Sequence, residues 1–151
     1  MKSALWFDSI QDVVSVVSTA HGGTMRRVFI SFQMEDKKQV DGVRLLKWNK
    51  GYPLEFYDES VRIAYKSDDA SYIRRNIRKK ISRCSATVCF LGSTTYLSDW
   101  VNWELETSID QGNDILLMGL PNGPQRLHLP PVVTGKQWWL WDPKLLSEFT
   151  V

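Results

Sequence analysis

Three runs of the chain are apolar at nearly every position rather than at alternate ones: Val28-Phe29-Ile30-Ser31-Phe32, Ala86-Thr87-Val88-Cys89-Phe90-Leu91-Gly92 and Asp114-Ile115-Leu116-Leu117-Met118-Gly119-Leu120. A strand with no polar face must be covered on both sides, which is the situation of a buried strand in a parallel sheet. Parallel neighbours cannot be joined by a tight turn and need a long crossover, usually a helix. The segments between the runs carry that helical periodicity, so the pattern restricts the chain to an open α/β sheet.

Val40, Val43 and Leu46 mark a first helix stopped by Gly51. Leu54 to Tyr57 alternates as a second strand and runs into the polar loop Asp58-Glu59-Ser60. Ala70, Ile73, Ile77, Ile81 and Cys84 form one stripe of a helix capped by Asp68 or Asp69. A third helix starts at Ser98 or Asp99, turns Val101, Leu105 and Ile109 inward, and ends at Gly112. Gln137-Trp138-Trp139-Leu140-Trp141 reads as a short fifth strand, and Asp142-Pro143 starts a last helical turn. The expectation is a flavodoxin-like α/β single domain over residues 25–151, with a central parallel five-stranded sheet and helices on both faces. Residues 1–24 read as an N-terminal extension, a helix or mobile leader broken off by His21-Gly22-Gly23-Thr24.

Composition excludes several classes of function. Nineteen basic against seventeen acidic side chains leave a charge of +2, too balanced to imply a polyanion partner by itself. Cys84 and Cys89 have no histidine nearby and fit neither a zinc site nor a disulfide framework, so both read as small buried hydrophobes and no metal is expected. No run reaches the roughly 18 apolar residues of a membrane span. With Asp8 and Asp12 interrupting the only candidate leader, a cytoplasmic protein is expected.

In an open parallel sheet, ligands bind beyond the carboxyl ends of the strands where strand order reverses, which in a flavodoxin-like order lies between strands one and three. Phe32, Asp58, Ser60 and Gly92-Ser93 end strands or follow them at that edge, and Trp100, Trp103 and Glu104 lie in the first turns of the helix after strand three. Ser31-Phe32-Gln33-Met34-Glu35 has no glycine, so a dinucleotide-binding turn is excluded, and no phosphate loop of the Walker type is present. Ser31-Phe32 and Gly92-Ser93 stand where a response-regulator receiver carries acidic residues. His128 has no visible nucleophile partner and reads as a loop residue. Glu104 has a plain reading, complementing the helix dipole for roughly 0.3 to 1 kcal/mol, and a functional one, a carboxylate held beside an indole at the ligand edge.

Val28-Phe29-Ile30-Ser31-Phe32, Phe56-Tyr57-Asp58-Glu59-Ser60, Ala86 to Gly92 and Trp100-Val101-Asn102-Trp103-Glu104 resemble, in order and spacing, a TIR-like domain, nearest to the TIR-like subunits of the Thoeris antiphage system. Asp58-Glu59-Ser60-Val61 departs from the Arg-Asp and Pro-Gly landmarks of classical Toll and plant TIR domains. The resemblance implies NAD as substrate rather than cofactor, and Glu104 as the catalytic carboxylate that cleaves the nicotinamide–ribose bond. Phe32, Asp58, Ser60, Trp100 and Trp103 are the expected substrate contacts. It also implies a product derived from ADP-ribose, a cyclic isomer being favoured, which signals to a separate effector protein. Self-association stays open.

Two alternatives stand beside it. A catalytically silent TIR-like module would assemble through Trp138, Trp139 and Trp141. A nucleic-acid binder would use Arg74, Arg75, Arg78, Lys79, Lys80 and Arg83, although no base-stacking motif is interleaved with these charges.

Overall fold

The computed structural model describes residues 26–46, 57–58 and 69–151. Four parallel strands form one sheet in the order β2-β1-β3-β4, with β1 Arg27–Ser31, β2 Tyr57–Asp58, β3 Ala86–Leu91 and β4 Asp114–Gly119. Registers pair Val28 with Ala86 and Ser31 with Cys89 across β1 and β3, and Ala86 with Asp114 through Leu91 with Gly119 across β3 and β4. β3 is buried at all six positions, as its unbroken apolar run requires.

Helices cover both faces. Val28, Ile30, Val88, Phe90, Leu116 and Met118 share one core with Val40 and Val43 of helix α1 (Lys37–Leu46) and with Leu145, Leu146 and Phe149 of the C-terminal helix. On the opposite face, Phe29 packs with Ile73, Ile77 and Ile81 of α2 (Ala70–Ser82). Cys89, Leu91, Ile115 and Leu117 pack there with Val101 and Leu105 of α3 (Asp99–Asp110). The period-two alternation of each strand thus sorts its side chains into two cores.

The expected helix ends match local chemistry. Asp69 caps α2 by accepting from the Tyr72 N–H, and Ser98 caps α3 by accepting from the Val101 N–H. Gly112 follows α3 with a φ of +83°, a left-handed conformation that favours glycine. Asp142 caps α4 (Pro143–Phe149), with proline at its start.

The five-stranded expectation is corrected to four strands among the described residues. The segment around Trp139 forms a single parallel bridge to Met118, with Gly119 N–H donating to the Trp139 carbonyl at 2.8 Å and Trp139 N–H donating to the Leu117 carbonyl at 2.9 Å. Preceded by the left-handed Gly135 and followed at once by the Asp142 cap, the chain runs along the edge of β4 too briefly for a strand. Trp139 and Trp141 lean on one core and Trp138 on the other, all partly buried, so they serve packing rather than forming an exposed aromatic cluster. The extension over residues 1–24 lies outside the described residues.

One end of the sheet is fastened by charge. Arg26 reaches Asp114 at 2.6 Å and also donates to the carbonyls of Ser85 and Phe149, joining the starts of β1, β3 and β4 to the C-terminal helix. The opposite end, where the strands finish, gathers the residues of chemical interest.

Candidate active site

Glu104 lies in the second turn of α3 and is 2% exposed. Val101 and Leu105 bury the adjoining flank of the helix against the sheet, which carries the Glu104 side chain to the last residue of β1. There the Ser31 hydroxyl, itself 1% exposed, donates to Glu104 Oε1 at 2.6 Å. A buried carboxylate is costly without hydrogen-bond donors, and this short charge-assisted bond satisfies one oxygen. A turn further along, the Ser108 hydroxyl donates to the Glu104 carbonyl at 2.8 Å and lies 2.8 Å from the Thr87 hydroxyl of β3. Asn113 Nδ2 donates to that Thr87 oxygen at 3.4 Å. This buried polar chain fixes the rotation of α3 about its axis, and with it the aim of Glu104.

A second carboxylate reaches the same edge from the other side of β1. After Ser31 the chain makes a tight 3-10 turn, Met34–Asp36, entered through Gln33, whose side chain accepts from the Met34 N–H. The turn lays the Asp36 carboxylate against Gly92, at the end of β3, where a Cβ would overlap it. Thr95 completes the arrangement: its hydroxyl accepts from Gly92 N–H at 2.8 Å and donates to Asp36 Oδ2 at 3.4 Å. Burial pushes the Asp36 carboxyl above the usual carboxylate range, opposed by the Thr95 hydrogen bond and reinforced by the neighbouring Glu35.

Cys89 is paired in register with Ser31 and fully buried. Burial pushes its thiol strongly up, and the negative charges of Glu104 and then Asp36 add to that effect. The thiol is therefore no nucleophile at neutral pH. Cys84, also buried, donates its S–H to the Lys80 carbonyl at 3.2 Å. We expect the native protein to resist alkylation by iodoacetamide at neutral pH and both thiols to react once guanidinium unfolds it. Rapid labelling of Cys89 without denaturant would contradict its full burial.

The aromatic residues expected to contact a ligand each have packing partners within the fold. Trp100 and Trp103 meet edge to face at 5.9 Å and pack against the α2 core. The Arg74 guanidinium lies over both rings, at 5.4 Å and 5.8 Å, and that of Arg78 over Trp103 at 5.5 Å. They fasten α2 to α3. Two of the six cations considered for nucleic-acid binding are thus occupied in that same contact. Phe32 follows strand alternation: with Ser31 turned to Glu104, its ring faces the other layer, packed on the α1 core beneath the Arg44 guanidinium at 5.3 Å. Asp58 ends β2, where its backbone pairs with Val28, and Ser60 lies outside the described residues. Of the expected constellation, the fold puts Glu104 at the switch point, where Ser31 holds it, with Asp36 and Thr95 gathered at Gly92 on the same sheet edge.

His128 stacks on Tyr96 at 5.0 Å in a loop contact, in keeping with its reading as a loop residue. No described helix is long and apolar enough to cross a membrane.

Comparison with known proteins places the fold. Among solved structures, the TIR domain of the Toll-related receptor TRR-2 from Hydra magnipapillata is similar at 13% identity and a TM-score of 0.52, over 77% of this chain and 84% of that one. The CMP N-glycosidase BcmB from Clostridium botulinum is similar at 18% identity and a TM-score of 0.45, over 62% of this chain and 71% of that one. No curated protein matches the sequence at a significant level. The model of the Thoeris protein ThsB TIR-like domain matches residues 29–125, from within β1 to beyond β4 and including Asp36, Gly92 and Glu104. The chain belongs to the Thoeris ThsB TIR-like family.

Proposed function

We propose that this TIR-like domain cleaves the bond between nicotinamide and ribose in NAD, with Glu104 as the carboxylate facing the reacting sugar. The observation that carries the reading is the placement of Glu104: almost wholly buried, aimed by the Ser31 hydroxyl, at the carboxyl edge of the sheet where strand order reverses between β1 and β3. A reaction that builds positive charge needs a fixed negative one close to it.

The chemistry asks little beyond that charge. As the C1′–N bond breaks, its electron pair goes to the ring nitrogen, so the pyridinium leaves as neutral nicotinamide without an acid. The ribosyl carbon left behind has oxocarbenium character, which a preorganised carboxylate stabilises in a water-poor setting far better than in bulk water. Attack by water gives linear ADP-ribose, and attack by another group of the same NAD gives a cyclic isomer. In a Thoeris system the cyclic product acts as a second messenger that a separate effector protein reads.

Purified protein incubated with NAD, followed by chromatography for nicotinamide and mass spectrometry of the nucleotide product, tests the reading. Release of nicotinamide by the wild type supports it. Absence of turnover at high protein concentration with a correctly folded sample would leave a silent assembly module as the better account.

A further inference from the structure

We propose that Asp36 is the second carboxylate of this site, the base that takes the proton from an oxygen nucleophile as it attacks the ribosyl carbon. The inference rests on the NAD-cleaving reading of Glu104. Four observations lead to it. Asp36 sits shortly after the switch-point strand, in a turn that places its part-buried carboxylate over the end of β3. The position opposite is Gly92, and any side chain there would displace the carboxylate. The Gly92–Thr95–Asp36 hydrogen-bond relay holds one carboxylate oxygen in a defined orientation. Finally, β1 and β3 are neighbours at the switch point, with Ser31 opposite Cys89 and Gly92 just beyond it on β3, so the carboxylate held by Ser31 and the carboxylate held at Gly92 lie at the same edge of the sheet.

That division of labour follows from the reaction. Glu104 faces a developing cation and must stay charged, but it does nothing for the incoming group. When the nucleophile is water or a sugar hydroxyl, its lone pair forms the new C1′–O bond and its proton must leave. A second carboxylate takes that proton and later releases it to solvent. A base is most effective when its affinity for protons approaches the working pH. Burial and the neighbouring Glu35 push the Asp36 carboxyl in that direction, and the Thr95 hydroxyl opposes them.

Asp36→Asn supplies the test. The amide keeps an oxygen for the Thr95 hydroxyl and removes the base. Because burial disfavours the ionised carboxylate, stability contributed by Asp36 is greatest at acid pH, where it is protonated, and is lost as pH rises through its raised value. The variant is therefore expected to melt no lower than the wild type at neutral pH, which separates loss of activity from loss of fold. Its nicotinamide release should fall by about 100-fold. Adding sodium azide, an anionic nucleophile with no proton to lose, should restore release and yield an azido adduct of ADP-ribose in the mass spectrum. Glu104→Gln should not be restored by azide, because its defect lies in the cation. A wild-type rate in Asp36→Asn, or a slow variant that azide does not restore, would overturn the role of Asp36 while leaving Glu104 in place. A wild type that releases no nicotinamide would remove the NAD reading and the base together.

Discussion

Glu104→Gln should fold as the wild type does and lose nicotinamide release by about 10³-fold, the scale expected when a preorganised group facing transition-state charge is removed. Glutamine is nearly isosteric and its amide oxygen still accepts from the Ser31 hydroxyl, so the 2.6 Å contact has a neutral successor and α3 keeps its place. What disappears is the negative charge. Since that charge is matched by a positive one only as the glycosidic bond breaks, kcat should fall while KM stays near the wild-type value. A factor of 10³ corresponds to about 4 kcal/mol of transition-state stabilisation. If KM rose and kcat held, Glu104 would be gripping the ribose hydroxyls of bound substrate instead. Unchanged kinetics in a folded variant would end the proposal that this carboxylate does chemistry.

How far the sequence reveals such a site depends on which physical signal each residue leaves. β1, β3 and β4 were readable because burial on both faces leaves an apolar run no surface element would carry, and α2 and α3 because their caps and stripes are local. The segment around Trp139 was not, since a lone bridge and a short strand demand the same aromatic residues and differ only in how long the chain stays beside β4. Glu104 could be placed from the order of strands alone. Its partner Ser31 lies 73 residues away, and nothing in either residue announces the pairing. Trp100 and Trp103 sat beside the carboxylate in sequence and invited a stacking role, yet their indoles lean towards the α2 arginines. The layer that Phe32 joins follows from parity, because a strand that sends Ser31 to one face sends the next residue to the other. Asp36 gave no signal at all: an acidic pair in a non-periodic turn looks like solvated surface, and only the absence of a side chain at Gly92 betrays where its carboxylate lies.

Phe29→Ala is expected to cost about 3 to 5 kcal/mol of folding stability, the range for deleting a buried ring. Phe29 is 1% exposed and is the residue through which β1 meets Ile73, Ile77 and Ile81, with Trp100 and Trp103 packed on the same cluster. Against a typical total of about 5 to 15 kcal/mol for a domain, such a loss removes a large fraction of the folding free energy. Chemical denaturation should show the midpoint falling with an unchanged slope, whereas Leu45→Ala, at a position 67% exposed, should stay within about 0.5 kcal/mol of the wild type. A Phe29→Ala loss as small as that of Leu45→Ala would mean that α2 does not cover this face of the sheet. The consequence reaches the site as well. α3 is held from one side by the Trp–Arg contacts with α2 and from the other by the Ser108–Thr87 bond to β3, so loosening α2 releases one of the restraints that aim Glu104. Phe29→Ala should then lower stability and kcat together, while Glu104→Gln lowers kcat alone, and that contrast separates the residue that does the chemistry from the packing that points it.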